Sequence, residues 1–226
     1  MTARDDIIGR IRAATGRSAD HDAPPPPEYA NAALIPARAT GTPAELTARF
    51  IEMATETAAT IDRVAESGDV GAAIAAWLKS AALGSDIIAA PDPAMDAYGL
   101  DATPGLSIRK GAATGDDLVS VTPTLAGVAE TGSLMVSATP GTPYTLNFLP
   151  ETHIAVLHAD RIVGGYEDAW ARVRRNQETG SALPRTVTLI TGPSRSSDIE
   201  RTVTIGVHGP KRLHIVLVGN ADGEET

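Results

Sequence analysis

The chain has 226 residues, of which 42% are hydrophobic, enough for one large domain with a buried core. Its formal net charge is −9 and only 4% of its residues are aromatic, which disfavours a nucleic-acid surface built from cations and stacking rings. The absence of cysteine excludes disulfides, thiolate catalysis and an iron–sulfur cluster held by the chain's own thiolates.

The first 27 residues predict a leader that precedes the main domain. Ile7, Ile8 and Ile11 share one face of a helix expected over residues 3–14, and Pro24–Pro27 form a stiff spacer. We expect this amphipathic helix to pack on the core or on another subunit, as in a homodimer. No apolar run approaches the roughly 20 residues that span a membrane, and a signal-peptide core is missing, so we expect a cytoplasmic protein.

Residues 28–226 are expected to form one α/β domain that begins with helices. Thr42 before Pro43 is a good N-cap, and the apolar positions between 51 and 61 follow helical spacing. A break at 67–69 separates a second helix, which extends to residue 83, and a short buried strand follows.

The second half of the chain alternates short apolar strands with helices. A helical turn is expected over 123–129 and a helix over 165–176. Strands are predicted over 118–121, 133–137, 153–157, 186–190 and 213–218. This alternation favours an α/β fold in which a parallel or mixed sheet is flanked by helices.

Three polar loops of this half are candidates for one ligand pocket. They are residues 122–124, 129–133 and 191–210. Because ligands of such sheets bind beyond the carboxyl ends of the strands, we expect these loops to meet there.

Glu130 is the first candidate catalytic residue. Thr131, Gly132 and Ser133 follow it and leave room for a ligand, so the carboxylate can serve as a base or as an acyl nucleophile. It can equally accept backbone hydrogen bonds that hold the turn.

A second group of candidates lies in the 191–210 loop. Gly192 and Ser194 can offer small polar groups to an anion, and Arg195 can pair with a carboxylate or a phosphate. Ser197 and Glu200 also fit a helix-capping box, which is a sufficient structural account of both residues.

Histidines supply the remaining candidates. His208 precedes the last strand and is the candidate acid, base or hydrogen-bond donor, and the ring of His153 is expected to face the same crevice. His214 is expected in the core and His158 in solvent. No paired-histidine motif is present, so no metal is expected, although Glu130, His153 and His208 could form a metal site if the fold joined them.

Five segments of the sequence resemble the LUD-domain family. They are ARDDIIGRIRAA near the start, AETGSLMVSA, LPETHIAVL, IVGGYEDAW, and TLITGPSRSSDIERTVTIGVHGPKRLHIVLV over residues 188–218. The resemblance implies a fold like that of the ribose-5-phosphate isomerase and CoA-transferase superfamily. It also implies a role in oxidising L-lactate to pyruvate with partner subunits that carry iron–sulfur clusters, while this chain binds no cofactor itself. The Glu130-x-Gly132 pattern is similar to the acyl nucleophile of CoA transferases.

Two functional hypotheses follow. In the first, the chain is a subunit of a lactate-oxidising system, and its cleft holds a small carboxylate or phosphate. In the second, it is an autonomous enzyme that acts on a phosphorylated or CoA-linked metabolite, with Glu130 as base or nucleophile.

Overall fold

The computed structural model describes residues 3–16, 35–178, 184–196 and 204–219. Its contacts divide the chain into two units, residues 1–34 and 35–226. Helix α1, Ala3–Thr15, belongs to the first unit and has no buried residue. The helix predicted at the start of the chain is therefore present, whereas the proposed spacer and the boundary at residues 27–28 lie outside the described residues.

The second unit contains the remaining regular elements. Its α-helices are α2 (Pro43–Glu56), α3 (Val70–Ser80) and α4 (Tyr166–Glu178). Its strands are β1 (Thr60–Val64), β2 (Asp86–Ala89), β3 (Ser107–Lys110), β4 (Val119–Pro123), β5 (Ala126–Val128), β6 (Ser133–Ala138), β7 (Thr152–His158), β8 (Ile162–Val163), β9 (Thr186–Ile190), β10 (Arg195–Ser196), β11 (Thr204–Ile205) and β12 (Arg212–Val218). No helix among the described ranges is long and apolar enough to cross a membrane.

A six-stranded parallel sheet forms the centre of this unit, with the strand order β1-β12-β7-β4-β2-β3. Strand β12 pairs with β7 along its whole length, from Arg212 opposite Thr152 to Val218 opposite His158. Helix α3 packs on one face of the sheet and helix α2 on the other. Burial of both faces explains why the central strands are almost continuously apolar.

A second, mixed sheet has the order β8-β5-β6-β9 and lies against the first. One of its faces packs on Ala169 and Val173 of α4. On the other face, a Cβ at Gly127 would lie 2.8 Å from Leu157 of β7 and 3.0 Å from Phe50 of α2, so only glycine permits this approach. The predicted α/β class with helices flanking the sheet is confirmed.

Two predicted helical stretches are wrong. Helix α2 ends at Glu56 because Ala58 adopts a left-handed conformation, with φ of 68°, and the chain then enters β1. Ile61 matches the helical spacing of the preceding apolar residues only by coincidence. The turn predicted over 123–129 instead contains β5, which pairs with β6.

The N-terminus of α2 carries a complete capping box. The Thr42 hydroxyl accepts a hydrogen bond from the Glu45 amide at 3.3 Å, and the Thr42 amide donates to the Glu45 carboxylate at 2.8 Å. These contacts hold the pKa of Glu45 below its ordinary value. The reciprocal bonds satisfy two groups that a helix start otherwise leaves to water.

We expect Thr42→Ala to lower the free energy of unfolding by about 1 kcal/mol, because the cap is lost. Urea denaturation would measure the change. Thr55→Ala, on the exposed face of the same helix, is the control and should have no destabilising effect, since alanine favours helix. Equal losses for the two variants would contradict a capping role.

Candidate ligand-binding site

A cavity of about 400 Å³ lies between the end of β9 and the start of β12. Its walls are Leu189–Arg195 and His208–Pro210, together with Thr57, Asn147 and Phe148. Its volume falls within the roughly 300–1,000 Å³ typical of small-molecule sites. The cavity lies beyond the carboxyl end of β9, as predicted for the 191–210 loop, but it precedes the amino end of β12 in the central sheet.

Ser194 joins the two arms of the loop that borders this cavity. Its amide donates to the Pro210 carbonyl at 2.9 Å, and its own carbonyl accepts from the Gly206 amide at 3.0 Å. Its hydroxyl accepts from the His208 amide at 3.1 Å. The short strands β10 and β11 continue this pairing in antiparallel fashion. These bonds hold residues distant in sequence on one rim.

Arg195 binds the end of helix α2 as well as bordering the cavity. Its Nη2 donates to the Thr57 carbonyl at 3.1 Å, where the partial negative charge of the helix C-terminus favours a cation. The side chain remains exposed. It therefore has a structural partner and still places a positive charge beside the cavity.

Only glycine fits at position 192, because the end of helix α2 lies directly against it. Its φ is 77°, and a Cβ at this position would overlap the Thr57 carbonyl oxygen and lie 3.0 Å from the Thr57 Cβ. The structure thus brings Gly192, Ser194, Arg195 and His208 to one cavity, as the sequence predicted. The capping box proposed for Ser197 and Glu200 lies outside the described residues.

Glu130 does not line this cavity. Its Oε1 accepts hydrogen bonds from Arg38 Nε at 3.1 Å and from Arg38 Nη2 at 2.9 Å. Its side chain is only 13% exposed, and its amide donates to the Gly164 carbonyl at 3.0 Å. The carboxylate is thus held in a structural ion pair, and the expectation that Glu130 lines a pocket shared with the 191–210 loop is wrong.

Gly132 leaves no room for a ligand because helix α2 fills the space beside it. Its φ is 65°, and a Cβ there would overlap the Ala54 amide and lie 2.6 Å from the Met53 carbonyl carbon. The glycine is needed so that the β5–β6 turn can contact the helix.

Four hydroxyl groups connect this turn to the cavity. Ser133 Oγ lies 2.8 Å from Thr131 Oγ1, 3.1 Å from the Tyr166 hydroxyl and 2.6 Å from Thr191 Oγ1. Thr131 Oγ1 is also 2.8 Å from the Tyr166 hydroxyl. Thr191 borders the cavity, whereas Ser133 is completely buried. Thr131 and Ser133 therefore reach the site only through Thr191.

His153 lies in the core, and the prediction that its ring faces the crevice is wrong. The side chain is completely buried, and Nε2 is 2.7 Å from Thr122 Oγ1 on the neighbouring strand. Burial lowers the pKa of His153 to about 4, so the ring is neutral at pH 7. Thr122 and Thr124 are buried as well, and Thr124 Oγ1 donates to the Val156 carbonyl. The 122–124 loop consequently does not join the cavity.

The prediction for His214 is confirmed, whereas the prediction for His158 is wrong. His214 is completely buried, stacks on Trp77 with ring centroids 4.0 Å apart, and contacts Thr60, which confirms its predicted place in the core. His158 is half-buried rather than solvated, and its Nε2 lies 3.2 Å from the Tyr98 hydroxyl. Burial also lowers the pKa of His158. Within the described ranges, no three His, Asp or Glu side chains are grouped to hold a metal.

Asn147 is a further cavity residue, and no pattern in the sequence signals it. It is 2% exposed, and its Oδ1 has no hydrogen-bond partner in the described part of the chain. A buried acceptor without a donor is uncommon and costs about 1–3 kcal/mol. Only the tertiary path of the chain brings this residue to the 191–210 loop.

Comparison with known proteins gives a consistent family match. The family model described as the LUD domain matches residues 47–218. Lactate utilization protein C of Geobacillus sp. (strain WCH70) is 36% identical over 91 residues, which are 40% of this chain and 38% of that protein. The protein of the same name from Bacillus subtilis (strain 168) is 33% identical over 93 residues, 41% of this chain and 39% of that protein. These alignments therefore cover well under half of the relatives' lengths.

A solved structure shares the fold. The crystal structure of a DUF162 family protein from Deinococcus radiodurans aligns with a TM-score of 0.61 at 20% identity. The alignment covers 80% of this chain and all of that chain. At this level of identity the likeness supports the fold alone.

Proposed function

Since this chain belongs to the LUD-domain family, we propose that it serves L-lactate utilisation by holding a small carboxylate in the cavity beside Arg195. The observation that carries the proposal is the cavity itself, where the chain gathers Gly192, Ser194, Arg195 and His208. A cation and small polar groups beside an open cavity suit a carboxylate. Relatives named for lactate utilisation supply the choice of carboxylate.

The electrons of the reaction go to partner subunits in this proposal. Oxidation of lactate to pyruvate releases two electrons and two protons from the carbinol group. The chain has no cysteine with which to hold an iron–sulfur cluster, so clusters on partner proteins would accept the electrons. His208, exposed at the cavity, would exchange a proton or a hydrogen bond with the ligand.

The alternative hypothesis, an autonomous enzyme that uses Glu130, has no geometric support. The carboxylate is bound by Arg38 and is absent from the cavity lining. Its proposed action on a phosphorylated or CoA-linked metabolite remains a prediction from the sequence.

We expect Arg195→Ala to weaken L-lactate binding by about 1.5–3 kcal/mol, the usual contribution of a hydrogen bond to a charged group. Isothermal titration calorimetry at constant ionic strength would measure it. Arg63→Ala removes an exposed cation of β1 away from the cavity and is the control.

Because Arg195 also caps α2, thermal melts must accompany the titrations. Arg195→Lys retains the charge and should recover part of the affinity. Unchanged lactate affinity in a folded Arg195→Ala protein would remove this residue from the site. Failure of the native chain to bind any small carboxylate would overturn the proposed function.

A further inference from the structure

The hydrogen atoms of the four-hydroxyl network can be assigned by counting. Thr131, Ser133 and Tyr166 contact one another in a closed triangle, and Thr191 is attached to the triangle through Ser133. The network therefore has as many contacts as hydroxyl groups. Each hydroxyl has a single hydrogen to donate, so every contact is satisfied only if each group donates once within the network.

This condition fixes the direction of the bond at Thr191. The triangle uses the hydrogens of its own members, whichever way they circulate, so none of them is left for the fourth contact. Thr191 must therefore donate to Ser133. Since Ser133 is completely buried, water cannot easily replace this bond, and the Thr191 oxygen is left as an acceptor at the cavity.

Arg195 borders the same cavity as Thr191. The site thus combines a cation, Arg195, with one oxygen acceptor, the Thr191 hydroxyl. A carboxylate alone would pair with the cation and would not use this acceptor.

We propose that Thr191 is a specificity-determining residue that selects hydroxycarboxylates over ketocarboxylates. The ligand's hydroxyl donates to Thr191 Oγ1 while its carboxylate lies beside Arg195. A ketone oxygen in the same position meets an acceptor and cannot pair with it. This inference rests on the proposed function, because it presumes that the cavity binds a small carboxylate.

Titration calorimetry of the full chain with L-lactate, pyruvate and propionate tests the proposal. Propionate matches lactate but lacks its hydroxyl. We expect lactate to bind about tenfold more tightly than either of the others, the effect of one hydrogen bond that they cannot form. Thr191→Val should abolish this preference by weakening lactate binding alone, and Thr191→Ser should retain it.

Two further variants make the test specific. Thr188→Val, in strand β9 just before Thr191 and outside the cavity lining, should keep the preference. Ser133→Ala removes the acceptor for the Thr191 hydrogen, so Thr191 can donate to the ligand and the preference should move towards pyruvate. If the three acids bind equally, or if Thr191→Val leaves a lactate preference intact, this inference is overturned while the proposed function stands. If none of the acids binds, the proposed function fails first.

Discussion

Replacement of Gly132 by alanine is expected to lower the free energy of unfolding by about 3–5 kcal/mol. Two costs add at this position. A non-glycine residue at a φ of 65° is strained, and the new methyl group would overlap the backbone of α2 at Met53 and Ala54. The backbone at Met53 and Ala54 cannot move unless helix α2 shifts as a whole, and Phe50 and Ala54 of that helix are completely buried.

Urea denaturation of Gly132→Ala and Gly105→Ala separates these costs. Gly105 also has a positive φ, of 84°, but an added Cβ there would meet nothing within 4 Å. Its variant should therefore lose only the strain contribution, about 1–2 kcal/mol. A loss at Gly132 no larger than that at Gly105 would show that the turn does not pack on α2 as described.

Gly132 also illustrates why a glycine in a sequence is ambiguous. Its place in a polar turn suggested that a ligand approaches the backbone there, and the structure shows that a helix does so instead. The sequence signals the close approach in both cases. What approaches depends on how α2, distant in sequence, packs against the mixed sheet.

The elements that the sequence predicted correctly have strong local signals. Thr42 and Pro43 mark the start of α2, and runs of mainly β-branched and aliphatic residues mark β7 and β12. Strand β1 has a weak signal because it has five residues and Ile61 fits the preceding helical pattern. Only its pairing with β12 makes it a strand, and such long-range pairing is not visible in a local pattern.

The candidate site was predictable only in part for a similar reason. Gly192, Ser194 and Arg195 form a concentrated polar stretch directly after a strand, and the cavity is there. His153 carries no comparable signal, because a polar residue in a central parallel strand can be buried on either face of the sheet. Thr191 and Asn147 acquire their roles from contacts that the fold creates.

Acidification from pH 7.5 to 5.0 is expected to destabilise the protein by about 4 kcal/mol through its buried histidines. Burial lowers the pKa of His153 and of His214 to about 4, from an ordinary value of 6.5. In the unfolded chain both rings bind a proton near pH 6.5. Their contribution to stability is therefore complete above that pH and is lost progressively as the pH falls towards 4.

Other groups near these histidines do not change the sign. Asp62 Oδ2 lies 3.6 Å from His214 Nε2 and would favour the protonated ring, but desolvation outweighs this attraction. The pKa values of Glu45, Asp117 and Glu151 are lowered by hydrogen bonds or ion pairs, so these carboxylates protonate mainly below pH 5. The change in the free energy of unfolding between pH 7.5 and 5.0 therefore reports on the protonation of histidine.

Urea denaturation at several pH values would measure this dependence, and histidine NMR titration would assign it. Each buried histidine contributes about 2 kcal/mol at pH 5.0, since its unfolded form then takes up nearly one proton more than its folded form. Two imidazole resonances should remain unprotonated at pH 5.0 in the folded protein and titrate normally in urea. Equal free energies of unfolding at pH 7.5 and 5.0 would contradict the buried, neutral state of His153 and His214.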